Sequence, residues 1–254
     1  MCKHSEKYSG AIICPMKNNK KGEIIMANTK KTTEVITIQP IEKVTAEITL
    51  IGETPLIVHA WSEKAKKEML DSHQGKAKGK KKAFKNPVAD FIRSMYWLNG
   101  MPEIPDDATE EECEDIFNNA IANGAKFGFP AVAIKKAAVS AAYRQGITKD
   151  KVSANGSFWL MGVDDPEFVE IETDEPPIMR EDMVKIGMGI ADIRYRGEFR
   201  NWKCKCKISY LKDGVFSLEN IISMINLGGF SCGLGEWRTE KGGISGAFRV
   251  QATK

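Results

Sequence analysis

The sequence predicts an α+β fold: an antiparallel sheet with helices against it, in the order strand, helical insertion, helix, paired strands, helix, glycine loop, strand. Three observations predict it. Residues 44–51 alternate apolar and polar side chains, residues 202–210 do the same after a long two-stranded stretch, and a helix capped by Ser217 leads into the glycine-rich run 227–250. At 254 residues and 42% hydrophobic, the chain is long enough to bury one large core. A formal net charge of +3 is too mild to announce a polyanion partner, so any electrostatic argument rests on where charges cluster. Six cysteines with no secretory signal read as reduced thiols, and no apolar run is long enough for a bilayer, so the expected location is the bacterial cytoplasm with no membrane partner.

Residues 1–43 read as an N-terminal arm, and 44–254 as a single domain with a helical insertion at about 60–125. The first 25 residues have no sustained periodicity, whereas Met26 opens a more ordinary start. Codons for Lys20, Lys21, Gly22 and Glu23 can spell an AAGGAG-type ribosome-binding sequence, so a translated leader with the native start at Met26 of a bacterial or phage gene is expected.

In the first strand, Ala46, Ile48 and Leu50 share one face, opposite Glu47 and Thr49. The chain then turns toward His59, a lone histidine without a second ligand at metal spacing, read as a structural or surface group. A short helix is predicted from Ser62. Lysines crowd the segment up to Pro87, among them Lys76, Lys78, Lys80, Lys81 and Lys82, and Gly75 and Gly79 make it a loop. A solvated loop and a phosphate-binding loop account for it equally well. Beyond Pro87, a helix is predicted through Phe91, Met95 and Leu98, and an acidic segment at 106–115 leads into another that Gly124 ends. That segment faces a basic partner or water.

Pro130 opens an alanine-rich helix that stops before Gly146, with Lys135, Lys136 and Arg144 on its polar side, where solvent or phosphate explains them. Two short strands flank Asp164, Asp165 and Pro166. A hairpin then follows, with its turn expected at Arg194-Tyr195-Arg196-Gly197 and Arg200 just beyond. In its second strand Trp202, Cys204, Cys206, Ile208 and Tyr210 share a face, which explains the CxC as buried thiols rather than a metal or redox site.

The glycine stretch follows a helix and has neither phosphate-loop nor dinucleotide-loop spacing, so no nucleotide cofactor is expected, and no metal or catalytic group either. Gly228, Gly229, Gly233, Gly235, Gly242 and Gly243 are expected to form a loop taking positive φ or close backbone approach, with Trp237, Arg238 and Lys241 offered to a polyanion or a neighbouring subunit.

The element order amounts to a ferredoxin-like, RRM-like βαββαβ core carrying an insertion after its first strand and a long β-hairpin. Three stretches then resemble the RAMP superfamily, the RNA-recognition-motif-like proteins that include backbone subunits of CRISPR effector complexes. They are FGFPAVAIKKAAVSAAYR at 127–144, the basic hairpin, and LGGFSCGLGEWRTEKGGISGAFRV at 227–250, similar to the family's signature glycine loop. Ala131 and Val132 stand where Gly-Ser is usual, and Glu236-Trp237-Arg238 where a glycine followed by basic residues is common. In family members that cleave RNA, an aspartate follows the first strand. Asp71 and Asp90 fall in the comparable insertion, but neither sits in a recognisable motif.

What the resemblance and the charge clusters imply is a non-enzymatic, single-strand nucleic-acid-binding protein, for DNA or RNA, that assembles as a homo-oligomer or filament along the strand, in phage DNA recombination or replication. The alternative is an interaction protein: a member of a larger ribonucleoprotein, or a mimic that docks on a host defence complex.

Overall fold

The computed structural model describes residues 40–61, 69–71, 73–74, 85–186 and 190–251. Beyond Pro40 they belong to one compact unit, Ile41–Lys254. The lysine loop, most of the helix expected from Ser62, and the leader lie outside the described residues.

The sheet that organises this unit is built from β1 (Lys43–Gly52), β5 (Phe158–Gly162), β9 (Lys203–Leu211) and β10 (Phe248–Val250). Its strand order is β10-β1-β9-β5, with every neighbouring pair antiparallel. Registers Leu50↔Cys204 and Leu160↔Ile208 put Leu50, Cys204, Cys206, Ile208, Phe158 and Leu160 on one buried face, the period-2 consequence of the alternation in the sequence. Burial pushes the Cys206 thiol up to about 12 and Cys204 well above its usual range, as expected of apolar, unreactive side chains.

Two helices share the core with this face, α3 (Ala131–Arg144) and α5 (Leu218–Ser231). Ser217 caps α5 by accepting from the Asn220 N–H. α5 continues through Gly228 and Gly229, so these two belong to a helix and not to the glycine loop in which the sequence reading put them. Their role is packing. A Cβ on Gly228 would stand 2.6 Å from the Ala138 nitrogen on α3, and one on Gly229 would collide with the Phe248 carbonyl of β10. The missing side chains let α5 lie against α3 and the last strand at once.

Between β1 and α3 come β2 (Leu56–Val58), α1 (Pro87–Arg93), β3 (Tyr96–Trp97), α2 (Glu110–Ala122) and β4 (Phe127–Pro130). Helix α1 is shorter than its periodicity suggests. The Ser94 hydroxyl donates to the Phe91 carbonyl and accepts from the Gly197 N–H, and Tyr96 and Trp97 leave the helix to pair with Gly128 and Phe127. Helix α2 carries a reciprocal cap between Thr109 and Glu112.

A short helix, α4 (Lys151–Ser157), precedes β5, and β6 (Phe168–Ile171) follows it. β3, β4 and β6 form a small sheet whose Phe127 packs on Trp97 and Phe199 with ring centroids 4.7 and 5.4 Å apart. The hairpin is β7 (Ile178–Ile186) and β8 (Ile190–Phe199), joined to β2 in a third sheet. Its reversal lies between Ile186 and Ile190, and residues 194–197, expected at the turn, are inside β8. Gly197 is there because Met95 occupies the space a side chain would need.

The packing assigns opposite signs to helix glycines. Gly228→Ala or Gly229→Ala should lower unfolding free energy by roughly 1–3 kcal/mol through overpacking. Gly156→Ala on α4, where nothing lies within 4 Å, should leave stability unchanged or raise it by up to about 1 kcal/mol. Chemical denaturation of the three variants checks this, and equal effects would show that the helix contact is loose.

Candidate nucleic-acid interface

After α5 the chain makes a tightly stitched loop. Cys232 and Gly233 donate to the Gly228 carbonyl, and Gly233 takes φ +69°. Leu234 donates to Gly246, Glu236 to Ile57, and Gly246 to Pro55, at 2.9, 2.9 and 2.8 Å. Gly235, at φ +72°, lies too close to the Ile57 carbonyl for any Cβ, and Gly243 likewise abuts the Trp237 carbonyl. The loop is therefore docked on residues 54–57, rather than being the flexible backbone its glycine content suggests.

Docking leaves Trp237 at φ +51°, a left-handed conformation that a bulky side chain rarely adopts, with 44% of the residue exposed. Its carbonyl accepts from Ser245, and Arg238 bridges Ser245 in parallel register. A 3₁₀ turn at Thr239–Lys241 and Gly242, at φ +81°, complete the loop.

Between this loop and α3 runs a cleft of about 440 Å³. Tyr96, Phe129 and Pro130 supply aromatic and apolar wall, and Ala133 and Ala137 are the small α3 residues that leave the space open. Lys136 and Ser140 line it from α3, Arg238 and Glu236 from the loop, and His59 from the chain after β2.

The charges are largely paired. Arg144 bonds the Glu240 carboxylate, and Arg238 Nε donates to it at 3.2 Å while its Nη1 donates to the Gly235 carbonyl at 3.1 Å. Arg144, and then Arg238 after the opposing cost of burial, holds Glu240 below the usual glutamate range. Across the cleft, Arg196 is 5% exposed and donates to Asp182 at 3.0 Å, with Glu236 at 3.7 Å. Burial, and then the charge of Arg196, push the His59 imidazole below its usual range.

Of the residues the sequence singled out, the structure brings Lys136, Gly233, Gly235 and Arg238 to the cleft, with Arg144 behind Glu240 and Trp237 between two of its lining residues. Lys136 and Lys241 are exposed and have no ion pair among the described residues. Lys135 turns instead to the Asn155 carbonyl, at 2.7 Å, and to the Phe158 ring. In the hairpin, Arg194 pairs with Asp192 and Arg200 with Glu198, and Arg196 is buried rather than offered at a turn. Lys76, Lys78, Lys80, Lys81 and Lys82 fall outside the described residues. Tyr96, Phe129, Ser140, Glu236 and His59 were not picked out as site residues; each comes from a separate segment, and no local pattern marks them. Among the described residues no group of three side chains converges as a metal site, and no helix is long and apolar enough to cross a membrane.

The chain matches no protein-family model, and no curated protein matches it.

Two variants test the loop. Gly235→Val combines positive φ with a backbone collision and should cost on the order of 3 kcal/mol, whereas Gly242→Ala, in open space, should cost only about 1 kcal/mol of φ strain. The second prediction concerns pH. Because the Glu240 pKa is lowered in the folded state, its contribution is present above the unfolded value and disappears as pH falls through the folded one. The melting-temperature difference between the wild-type chain and Glu240→Gln should be largest at pH 7 and shrink as pH falls through and below the usual glutamate range. A difference that does not shrink in acid would mean that Arg144 and Arg238 contribute nothing electrostatic through Glu240.

Proposed function

We propose that this protein binds single-stranded nucleic acid without cleaving it, with the strand passing through the cleft between α3 and the glycine loop. The observation that carries the reading is the loop itself. A backbone held in place by hydrogen bonds presents Trp237 at positive φ beside a nucleotide-sized cleft, and such strain persists where a surrounding structure over-determines it for a purpose. Exposed aromatics stack on bases whatever their sequence, and Lys136 and Lys241 are cations free to meet phosphate.

The chain order strand, helix, strand, strand, helix, strand, the sheet order β10-β1-β9-β5 and the two helices sharing the sheet's buried face support a ferredoxin-like, RRM-like core. The same reading takes up the resemblance to the RAMP superfamily, in a phage or prophage protein acting in recombination or replication in the host cytoplasm. Assembly of copies along the strand belongs to the same reading, and the lysine loop would add phosphate contacts.

A second reading is favoured by one feature. Asp106, Asp107, Glu110, Glu111, Glu114 and Asp115 are all exposed around the start of α2, a surface that repels phosphate and suits a basic partner. It fits a protein that docks on a CRISPR effector or another host defence complex. Co-purification with such a complex, free of nucleic acid, would favour it over the first.

The direct test is affinity against salt. The chain should bind labelled single strands, with log affinity falling linearly in log salt. Lys136→Gln with Lys241→Gln, and separately Lys78, Lys80, Lys81 and Lys82 to Gln, should each reduce that slope by roughly 0.7 per lost phosphate contact while leaving the melting temperature unchanged. No shift of DNA or RNA at low salt sinks the proposal.

A further inference from the structure

We infer that the cleft holds one base of the bound strand and selects guanine, with Glu236 reading its donor edge. This rests on the strand-binding reading above and adds to it a base preference and a residue that confers it.

The cleft is not built for phosphate alone, because Glu236 and Glu240 both line it. Glu240 is saturated by Arg144 and Arg238. Glu236 is not. Its carboxylate, 42% exposed, accepts no hydrogen bond among the described residues. It stands 3.7 Å from Arg196 and 4.0 Å from the His59 ring. Arg196 Nε is buried and has no hydrogen-bond partner among the described residues either. Asp182 already holds that guanidinium, and the Glu236 backbone is tied to the Ile57 carbonyl at 2.9 Å. The carboxylate is thereby kept at the cleft, 3.7 Å from the buried arginine, with its lone pairs unused by any hydrogen bond among the described residues.

The unused acceptor decides the ligand chemistry. In a single strand the pairing edge of each base is open. Guanine alone presents two adjacent donors there, N1–H and the N2 amine, which match the two oxygens of one carboxylate. Adenine and cytosine offer one amine beside a ring acceptor, and thymine or uracil one N–H between two carbonyls, which a carboxylate repels. Tyr96, Phe129 and Pro130 give the base an apolar wall, Lys136 stands on the same cleft for the phosphate, and about 440 Å³ is ample for one nucleotide.

The experiment is fluorescence anisotropy of the full chain with labelled strands of about fifteen thymidines, and in parallel of uridines, whose central residue is thymine or uracil, adenine, cytosine, guanine or hypoxanthine. The guanine strand should bind about tenfold tighter than the unsubstituted one. Hypoxanthine, which keeps N1–H but lacks the amine, should fall between, and adenine and cytosine should stay within about twofold of the unsubstituted strand. Glu236→Gln, of the same size, should bring the guanine ratio to near one. The hypoxanthine series, run on the unaltered chain, stands even if that variant folds poorly. Equal binding of all five strands overturns the guanine inference and leaves strand binding intact, whereas no binding of any strand overturns both. A guanine preference that survives Glu236→Gln overturns the role of Glu236.

Discussion

The structure depends on the absence of side-chain volume where α5 meets its neighbours. Gly228 lets α5 approach the α3 backbone at Ala137 and Ala138, and Gly229 admits the carbonyl of Phe248 from β10. With α5 fixed on both sides, its C-terminus at Cys232 sits beside α3, and the loop that leaves it lies along that helix's polar edge. The cleft is the space that remains, bounded by small α3 residues on one side and a docked glycine loop on the other. Larger residues at either contact would shift the loop, and with it the residues that line the cleft from that side.

What was legible in the sequence is what has a period. The alternation in 44–51 and 202–210 gave β1 and β9 and their shared buried face, and the capped apolar repeats gave α3 and α5. Glycine was read less well, because one residue type serves two ends. Gly233, Gly235 and Gly242 do take positive φ, but Gly197, Gly228 and Gly229 are present for lack of a Cβ, and local sequence does not distinguish turning from close packing. The Arg194-Tyr195-Arg196-Gly197 run has the composition of a turn, yet its residues pair inside β8, since cross-strand contacts with Met179 to Asp182 outweigh turn propensity. Ser94 ended a helix whose apolar repeat ran on.

The candidate site was legible only in fragments. Lys136, Trp237 and Arg238 stood out by type, but pairing is a three-dimensional property. Nothing in the chain order says that Arg196 is neutralised by Asp182, or that Glu240 draws Arg144 and Arg238 together. His59, Tyr96 and Phe129 meet across long sequence separations and carry no local signal. A mild net charge hides the same fact from the other side: most cations of the described surface already have carboxylate partners, and the few that do not acquire meaning from where they stand.

The central claim is that a single strand runs through this cleft past Trp237. Photo-crosslinking of the intact protein to strands carrying 4-thiothymidine or 4-thiouridine, followed by peptide mapping, tests it most directly. The account predicts adducts concentrated on Trp237 and on peptides from 96, 129–140 and 233–241. Adducts confined to the hairpin, to α2 or to the open face of the β10-β1-β9-β5 sheet would contradict it.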